Sequence, residues 1–340
     1  MGKFVTFGEI MLRLTSVGHE RYLQAKSFSV CYAGAEANVA VSLAALGRES
    51  YFVTKLPVHE IGQAALNELR RFGVRTEYIS RGGERLGVFY CENGASQRPS
   101  KVIYDRKHSA IAEAEERDFD WAAIFSGATW YHFTGITPAL SNGCAALCRS
   151  ALAAARAAGA TVSVDLNYRA KLWTSQKAAS VMEELVRGCD LIIANEEDAE
   201  KVFGIRAGSA DVRGGVLNTE AYQGVAAELR TRFGAGRVAI TLRESHSASD
   251  NGWSALLHDD SGFYPSARYQ IHVIDRVGGG DAFAAGLIFA LSEGWEPQAA
   301  VDFAVAASCL KHTIEGDFNL VARSEVEALM GGDASGRVQR

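Results

Sequence analysis

What this chain lacks narrows its chemistry first. It has no excess of basic charge: 35 Lys and Arg stand against 40 Asp and Glu, for a net charge of −5, and no basic cluster forms a stripe. Such a surface repels a polyanion, so no nucleic-acid partner is expected. A small anion is a different matter, because one local pair of arginines can bind it. No apolar run is long enough to span a bilayer, and no membrane partner is expected. The six cysteines, Cys31, Cys91, Cys144, Cys148, Cys189 and Cys309, include no C-x-x-C pair, and no Cys or His pair has zinc-ligand spacing. They read as reduced, buried hydrophobes. The opening Phe4-Val5-Thr6-Phe7-Gly8-Glu9 is a short strand followed by an acid, not a signal peptide, so a cytoplasmic location is expected. Two nucleotide motifs are also missing. Without G-x-x-x-x-G-K-[ST] there is no P-loop, and without G-x-G-x-x-G after the first strand a dinucleotide dehydrogenase is disfavoured.

What is there is a chain of 340 residues, 48% hydrophobic and 22% charged, the balance of a globular protein with a large core. Helical patterns alternate with short apolar strands. Helices are predicted over 35–46, 61–72, 142–158, 178–187, 196–203, 219–233, 281–291 and 297–313. Strands are predicted over 50–55, 76–80, 129–133, 161–165, 191–194 and 238–242. This alternation predicts an α/β fold with a mainly parallel sheet flanked by helices.

Two segments break the rhythm. Residues 12–32 and 86–107 are strand-like, and Leu86–Tyr90 with Lys101–Tyr104 flank a polar turn. They predict a small inserted sheet, a lid over the site. Exposed sheet faces and edges tend to be covered, which suggests a homo-oligomer joined through the lid. Residues 244–254 read as a polar loop between strands. A single unit with these segments inserted covers 1–330, and 331–340 reads as a disordered tail.

The most informative stretch is Asp275-Arg276-Val277-Gly278-Gly279-Gly280-Asp281-Ala282-Phe283-Ala284-Ala285-Gly286. Glycines precede an apolar helix with an acid in its first turn. Free amides at a helix N-terminus bind phosphate oxygens, and glycines let the backbone come close. A carboxylate beside them can take the proton of an attacking hydroxyl. Asp281 is therefore the predicted base, with Gly278, Gly279 and Gly280 stabilising the transferring phosphoryl group. Taken alone, the same residues also fit a flexible turn with a helix cap.

This stretch resembles the C-terminal signature of the ribokinase-like (PfkB) carbohydrate kinases. Ala33-Gly34-Ala35-Glu36-Ala37-Asn38-Val39-Ala40, with Gly47 and Gly62, resembles their N-terminal signature. The likeness runs through Gly316-Asp317-Phe318-Asn319-Leu320. Phe7–Leu14, Val102–Arg106 and Asp165–Trp173 resemble the 2-keto-3-deoxygluconate kinase branch. The resemblance implies a ribokinase-like fold, a β lid, ATP with Mg2+, and a sugar-acid substrate phosphorylated at its terminal hydroxyl.

On the sugar side, Arg106 and Arg169 match the positions expected to hold a carboxylate, with Gly34, Asn38, Tyr90 and Tyr104 around the sugar. Glu9 falls where the family places a polar sugar contact, often Asp, and no role is assigned to it. On the nucleotide side, Asn195-Glu196-Glu197-Asp198 resembles the family's N-x-x-E motif, whose acid acts on Mg2+ through water; Asp198 or Glu197 could serve. Thr241, Arg243 and Asn319 complete the expected nucleotide contacts. Arg243 stands where the family usually has glycine, and Arg276-Val277 replaces the usual Thr-Thr pair. A monovalent cation such as K+ near Asp275 is left open. Two rival readings are a kinase for a neutral sugar such as fructose or ribose, and a non-catalytic sugar or nucleotide sensor.

Overall fold

The computed structural model describes residues 2–195, 197–207 and 219–333. Its strands are β1 (Lys3–Phe7), β2 (Met11–Ser16), β3 (Phe28–Ala33), β4 (Glu49–Leu56), β5 (Ile79–Arg81), β6 (Gly87–Glu92), β7 (Lys101–Asp105), β8 (Ala128–Thr134), β9 (Thr161–Asp165), β10 (Leu191–Asn195), β11 (Arg237–Ser245), β12 (Asp250–Asp259), β13 (Gly262–Pro265) and β14 (Tyr269–His272). Its helices are α1 (Ala35–Ala45), α2 (Glu60–Arg71), α3 (Trp121–Phe125), α4 (Ile136–Leu140), α5 (Asn142–Ala157), α6 (Ser175–Leu185), α7 (Asp198–Phe203), α8 (Thr219–Phe233), α9 (Gly279–Ser292), α10 (Pro297–Lys311) and α11 (Arg323–Met330).

The large sheet runs β13-β12-β11-β10-β9-β8-β1-β4-β5, with β14 also paired to β12. Every pair from β11 to β5 is parallel, and β12, β13 and β14 add an antiparallel margin. Buried parallel strands read as unbroken apolar runs. Leu191-Ile192-Ile193-Ala194 in β10 is such a run, with no residue more than 2% exposed. Helix α9 is apolar all round and buried almost throughout, as a core helix must be. It packs on α1 and α10, and these apolar faces form one of the two large core clusters. Chain order moves outward from β1 in one direction through β4 and β5, and in the other from β8 through β11. The strand order therefore switches between β1 and β8, where α/β sheets open a crevice at their carboxyl ends.

The second sheet has the order β3-β2-β6-β7 and draws on both segments that broke the helical rhythm. Residues 244–254 differ from expectation. Strands β11 and β12 extend into them, and only 246–249 form the connecting tip. Polar side chains on exposed sheet edges carry no alternating pattern to betray a strand. Helices α3, α4 and α11 were also not predicted. Of the predicted tail, 334–340 lie outside the described residues. Among the described residues no helix is long and apolar enough to cross a membrane.

Candidate active site

A cavity of about 310 Å³ opens where β1, β9, β10 and β11 end, beneath the lid sheet. It is lined by Gly34, Asn38, Tyr104, Arg106, Arg169, Asn195, Thr241, Arg243, Gly278, Gly280 and Asp281. These residues lie up to 247 positions apart in the chain, from Gly34 to Asp281, and the fold brings them to one place.

Helix α9 begins at this cavity. Gly278 caps it in the left-handed region with φ of 84°, and a Cβ there would stand 2.1 Å from the Asp317 carbonyl oxygen. Gly280 faces open space, so its backbone is bare toward the cavity. The first-turn amides have no intrahelical acceptor. Gly279 turns the other way, against the His312 ring, and does not line the cavity. Asp281 is 9% exposed, and Asn38 Nδ2 donates to its Oδ2 at 2.6 Å. Asn38 Oδ1 accepts in turn from the Gly34 amide at 3.3 Å, so the two glycine-containing signatures meet at this carboxylate. Burial pushes the Asp281 carboxyl up to about 6; the Asn38 hydrogen bond pulls against this, Asp317 adds to it, and Arg169 and Lys311 oppose it.

Behind the glycine loop lies a buried ion network. Arg13, from lid strand β2, donates to Asp275 at 2.6 Å and to Asp317, and is 1% exposed. Asp275 also accepts from the amides of Val277 and Gly316, each at 3.1 Å. Removing one partner from a buried set like this costs about 3–5 kcal/mol, so the lid root and the glycine loop are locked together.

On the sugar side, Arg106 is not a free cation. Its Nε donates to Glu9 Oε2 at 2.8 Å and its Nη2 to the same oxygen, while Ser109 Oγ donates to Glu9 Oε1 at 2.9 Å. Arg169 makes no ion pair among the described residues; its Nη1 donates to the Tyr168 carbonyl at 3.1 Å. Tyr104 and Phe89 roof this end. Tyr90 does not reach it. In the lid, Val30, Leu14, Tyr90 and Ile103 form one cross-strand row, and neighbouring Phe89 and Tyr104 face the cavity instead. Because side chains alternate along a strand, Tyr90 lies on the outer face, against Phe28.

Two contacts fasten the lid at its far end. Lys171 Nζ donates to the Val102 carbonyl at 2.9 Å. The β11–β12 tip reaches the lid turn, where the Ala248 amide donates to the Ser96 carbonyl at 2.7 Å and the Ser96 amide to Ser249 Oγ at 3.1 Å.

On the nucleotide side, Asn195 and Asp198 cap each other: Asn195 Oδ1 accepts from the Asp198 amide at 3.0 Å, and Asp198 Oδ2 from the Asn195 amide at 3.1 Å. Asp198 Oδ1 accepts from the Tyr168 amide at 3.1 Å, so both carboxylate oxygens are engaged and the side chain does not line the cavity. Asp165 does line it, and burial first, then Asp198 and Asp281, hold its carboxyl well above the usual range. Arg243 lies over the Trp253 ring, 5.1 Å from its centroid. Asn319 is buried outside the cavity lining, with no partner for its Oδ1.

Several cavity residues were not foreseen, Asp165 among them. Arg276 lines the cavity beside Arg243, and burial together with Arg243 lowers its pKa. Its place two residues before the glycine run was the available signal. Glu9, set aside on sequence, is the partner of Arg106. Glu36 accepts from Thr134 Oγ1 at 2.8 Å and Thr137 Oγ1 at 2.7 Å, tying α1 to β8 and α4; burial raises its carboxyl to about 7. Phe89 differs from Tyr90 only in strand phase.

The profile of the pfkB family carbohydrate kinases matches residues 1–320. The chain is similar to a 2-dehydro-3-deoxygluconokinase from Thermotoga maritima whose crystal structure superimposes with a TM-score of 0.94 at 51% identity, covering 98% of this chain and 100% of that one. It is 32% identical to a 2-dehydro-3-deoxygalactonokinase from Haloferax volcanii, over 98% of both chains. A 2-dehydro-3-deoxygluconokinase from Bacillus subtilis is 28% identical over 93% of this chain and 91% of its own. An E. coli structure solved with ATP and Mg2+ bound shares the fold, with a TM-score of 0.80 at 18% identity over 97% of this chain and 99% of that one. On its two signatures, its doubly covered parallel sheet with a β lid, and this match along nearly its whole length, the chain belongs to the pfkB family of carbohydrate kinases.

Proposed function

We propose that this kinase moves the γ-phosphate of ATP to the terminal hydroxyl of a 2-keto-3-deoxy sugar acid, with Asp281 as the base. One observation carries the reading. The buried Asp281 carboxylate stands in the first turn of α9 and shares one cavity with Arg169, which follows β9 and makes no ion pair among the described residues, and with Arg243 of β11 and Arg276. The names of the relatives give the substrate class its support.

In this reading the sugar lies beneath Tyr104 and Phe89, with its carboxylate on Arg169. Asn38 orients Asp281 so that its free oxygen takes the hydroxyl proton as the O–P bond forms. The backbone of Gly278 and Gly280 meets the oxygens of the migrating phosphoryl group, where charge builds. Thr241 and Asn195 line the nucleotide end, and Arg243 and Arg276 answer the polyphosphate charge. The donor set fits Mg2+ held largely by phosphates and water: Asp165 lines the cavity with one carboxylate oxygen, the other accepting from the Asn167 amide at 3.0 Å, whereas Asp198, hydrogen-bonded through both oxygens, acts only from behind. Mg2+, when bound, neutralises phosphate charge. The closed lid keeps water from the phosphate.

The Glu9–Arg106 pair favours a second reading. With Arg106 engaged, the sugar end is less cationic than its sequence suggests, which suits a neutral sugar such as fructose or ribose. Coupled-assay kinetics across keto-deoxy gluconate and galactonate, fructose and ribose decide between them. A kcat/KM ranking led by a neutral hexose or ribose defeats the sugar-acid reading, and no turnover of any sugar favours a sensor.

The same reading treats residues 1–330 as one kinase domain in the cytoplasm, with the lid segments inserted. The lid's outer face suits a second copy of the chain. Val30 and Ile103 are 61% and 54% exposed in the row that holds Tyr90, more apolar surface than a free strand row keeps. Light scattering of the wild type and of Val30→Glu tests this; a wild-type monomer removes the dimer.

A further inference from the structure

The loop that carries the anion site is fastened from behind by a lysine. Lys311 ends α10 with no exposed surface, and it is not among the cavity-lining residues. Its Nζ donates to two main-chain carbonyl oxygens, of Asp275 at 3.4 Å and of Ile314 at 3.2 Å. These carbonyls belong to different segments: one runs through the glycines into α9, the other turns back after α10. The same segments are joined by the Ile274 and Asp275 amides, which donate to the His312 carbonyl at 2.8 and 3.2 Å, and by the Gly316 amide on the Asp275 carboxylate. Arg13 and Lys311 stand here with the carboxyls of Asp275 and Asp317, and none of the four is more than 5% exposed. Burial works against the Lys311 charge, while Asp275, Asp317 and Asp281 favour it.

Main-chain carbonyls converging from two loops are the ligands of a dehydrated monovalent cation. An ammonium group resembles potassium in size and charge, and on a lysine it is tethered. The sequence left room for a free cation beside Asp275; the structure puts the Lys311 ammonium there. We propose that Lys311 is a built-in monovalent cation: a positioning residue that pins the 275–278 and 312–316 segments together behind the anion site, so that turnover needs no potassium. The inference rests on the kinase reading, which the test below separates from it.

The wild type is assayed with the sugar acid and Mg·ATP in buffers whose only monovalent cation is tetramethylammonium, sodium or potassium. The same kcat is expected in all three. Lys311→Ala is expected to lose about tenfold or more in kcat with little change in the KM for ATP, and potassium or ammonium, but not tetramethylammonium, restores most of that loss. Activation of the wild type several-fold by potassium overturns the proposal, as does a folded Lys311→Ala enzyme with wild-type kcat or with a loss that no cation repairs. Should Lys311→Ala fail to fold, the wild-type comparison decides alone. No wild-type turnover of any sugar in any salt is instead a failure of the kinase reading. Melting then still reports on the cation: potassium is expected to raise the Tm of Lys311→Ala and to leave the wild type where sodium leaves it, and a wild-type Tm raised specifically by potassium refutes the idea.

Discussion

The two ends of the cavity handle positive charge in opposite ways. At the end read as the nucleotide's, Arg243 and Arg276 line the cavity together without a carboxylate partner among the described residues, and burial with Arg243 disfavours the charge of Arg276. At the end read as the sugar's, Arg106 is already paired with Glu9, and Arg169 makes no ion pair among the described residues. An unpaired cation pair is costly in the free protein and is relieved when a polyanion arrives. A pre-paired arginine gives little net attraction, but it sets geometry and punishes a ligand that leaves either partner stranded. On the proposed reading, the end with Arg243 and Arg276 is thus built for affinity to charge, and the end with Arg106 for discrimination.

The largest expected effect falls where the ends meet. Asp281→Asn is expected to lower kcat by about 10²–10⁴ with little change in the KM for ATP; near-normal turnover in a steady-state assay removes the base assignment. Next, Arg276→Ala and Arg243→Ala are expected to weaken ATP about tenfold each, more steeply at low ionic strength than at high. ATP titration by calorimetry measures this, and an unchanged Kd ends the claim that this end attracts charge. At the other end, Arg169→Ala is expected to raise the KM for a sugar acid about tenfold while sparing any residual activity on fructose. If Arg106→Ala does the same without loss of stability, the contrast between the two arginines fails.

The pH dependence sharpens the middle ground. Because burial raises the Asp281 carboxyl to about 6, kcat/KM is expected to fall below that pH as the base takes up a proton. The sign for stability is opposite. A carboxyl whose folded pKa lies above its unfolded value of 3.8 destabilises the fold once ionised, so its cost is absent in acid and fully present above about 6. Asp281→Asn is therefore expected to be more stable than wild type at neutral pH, by up to about 3 kcal/mol. That margin shrinks as pH falls toward 4, and urea melts at several pH values measure it. The smallest effect belongs to the lid: Ser249→Ala removes one hydrogen bond to the Ser96 amide, about 1 kcal/mol at most. It is expected to raise sugar-independent ATP hydrolysis slightly, read in the same coupled assay without sugar.

Local patterns made much of this legible in the sequence. Glycines before an apolar helix located the anion site, and apolar runs bounded by glycine stops outlined the parallel sheet. What stayed hidden depends on contacts between distant segments. Nothing near Arg13 announces that it will meet Asp275 and Asp317, and Lys311 reads as an ordinary basic residue closing a helix. Arg106 looked free because Glu9 lies 97 positions away. Tyr90 and Phe89 were inseparable by pattern, since the lid strand is apolar on both faces and only pairing fixes its phase.

The tip at 246–249 has one more consequence. It grows from the nucleotide margin of the main sheet yet grips the turn of the sugar-covering lid, so a roof hinged at Arg13 is also strapped along its opposite eave. On the kinase reading, departure of the phosphorylated sugar then requires the Ala248–Ser96 and Ser96–Ser249 hydrogen bonds to yield outside the cavity. The pace of successive catalytic cycles is therefore expected, on that reading, to depend on residues 246–249, none of which lines the cavity.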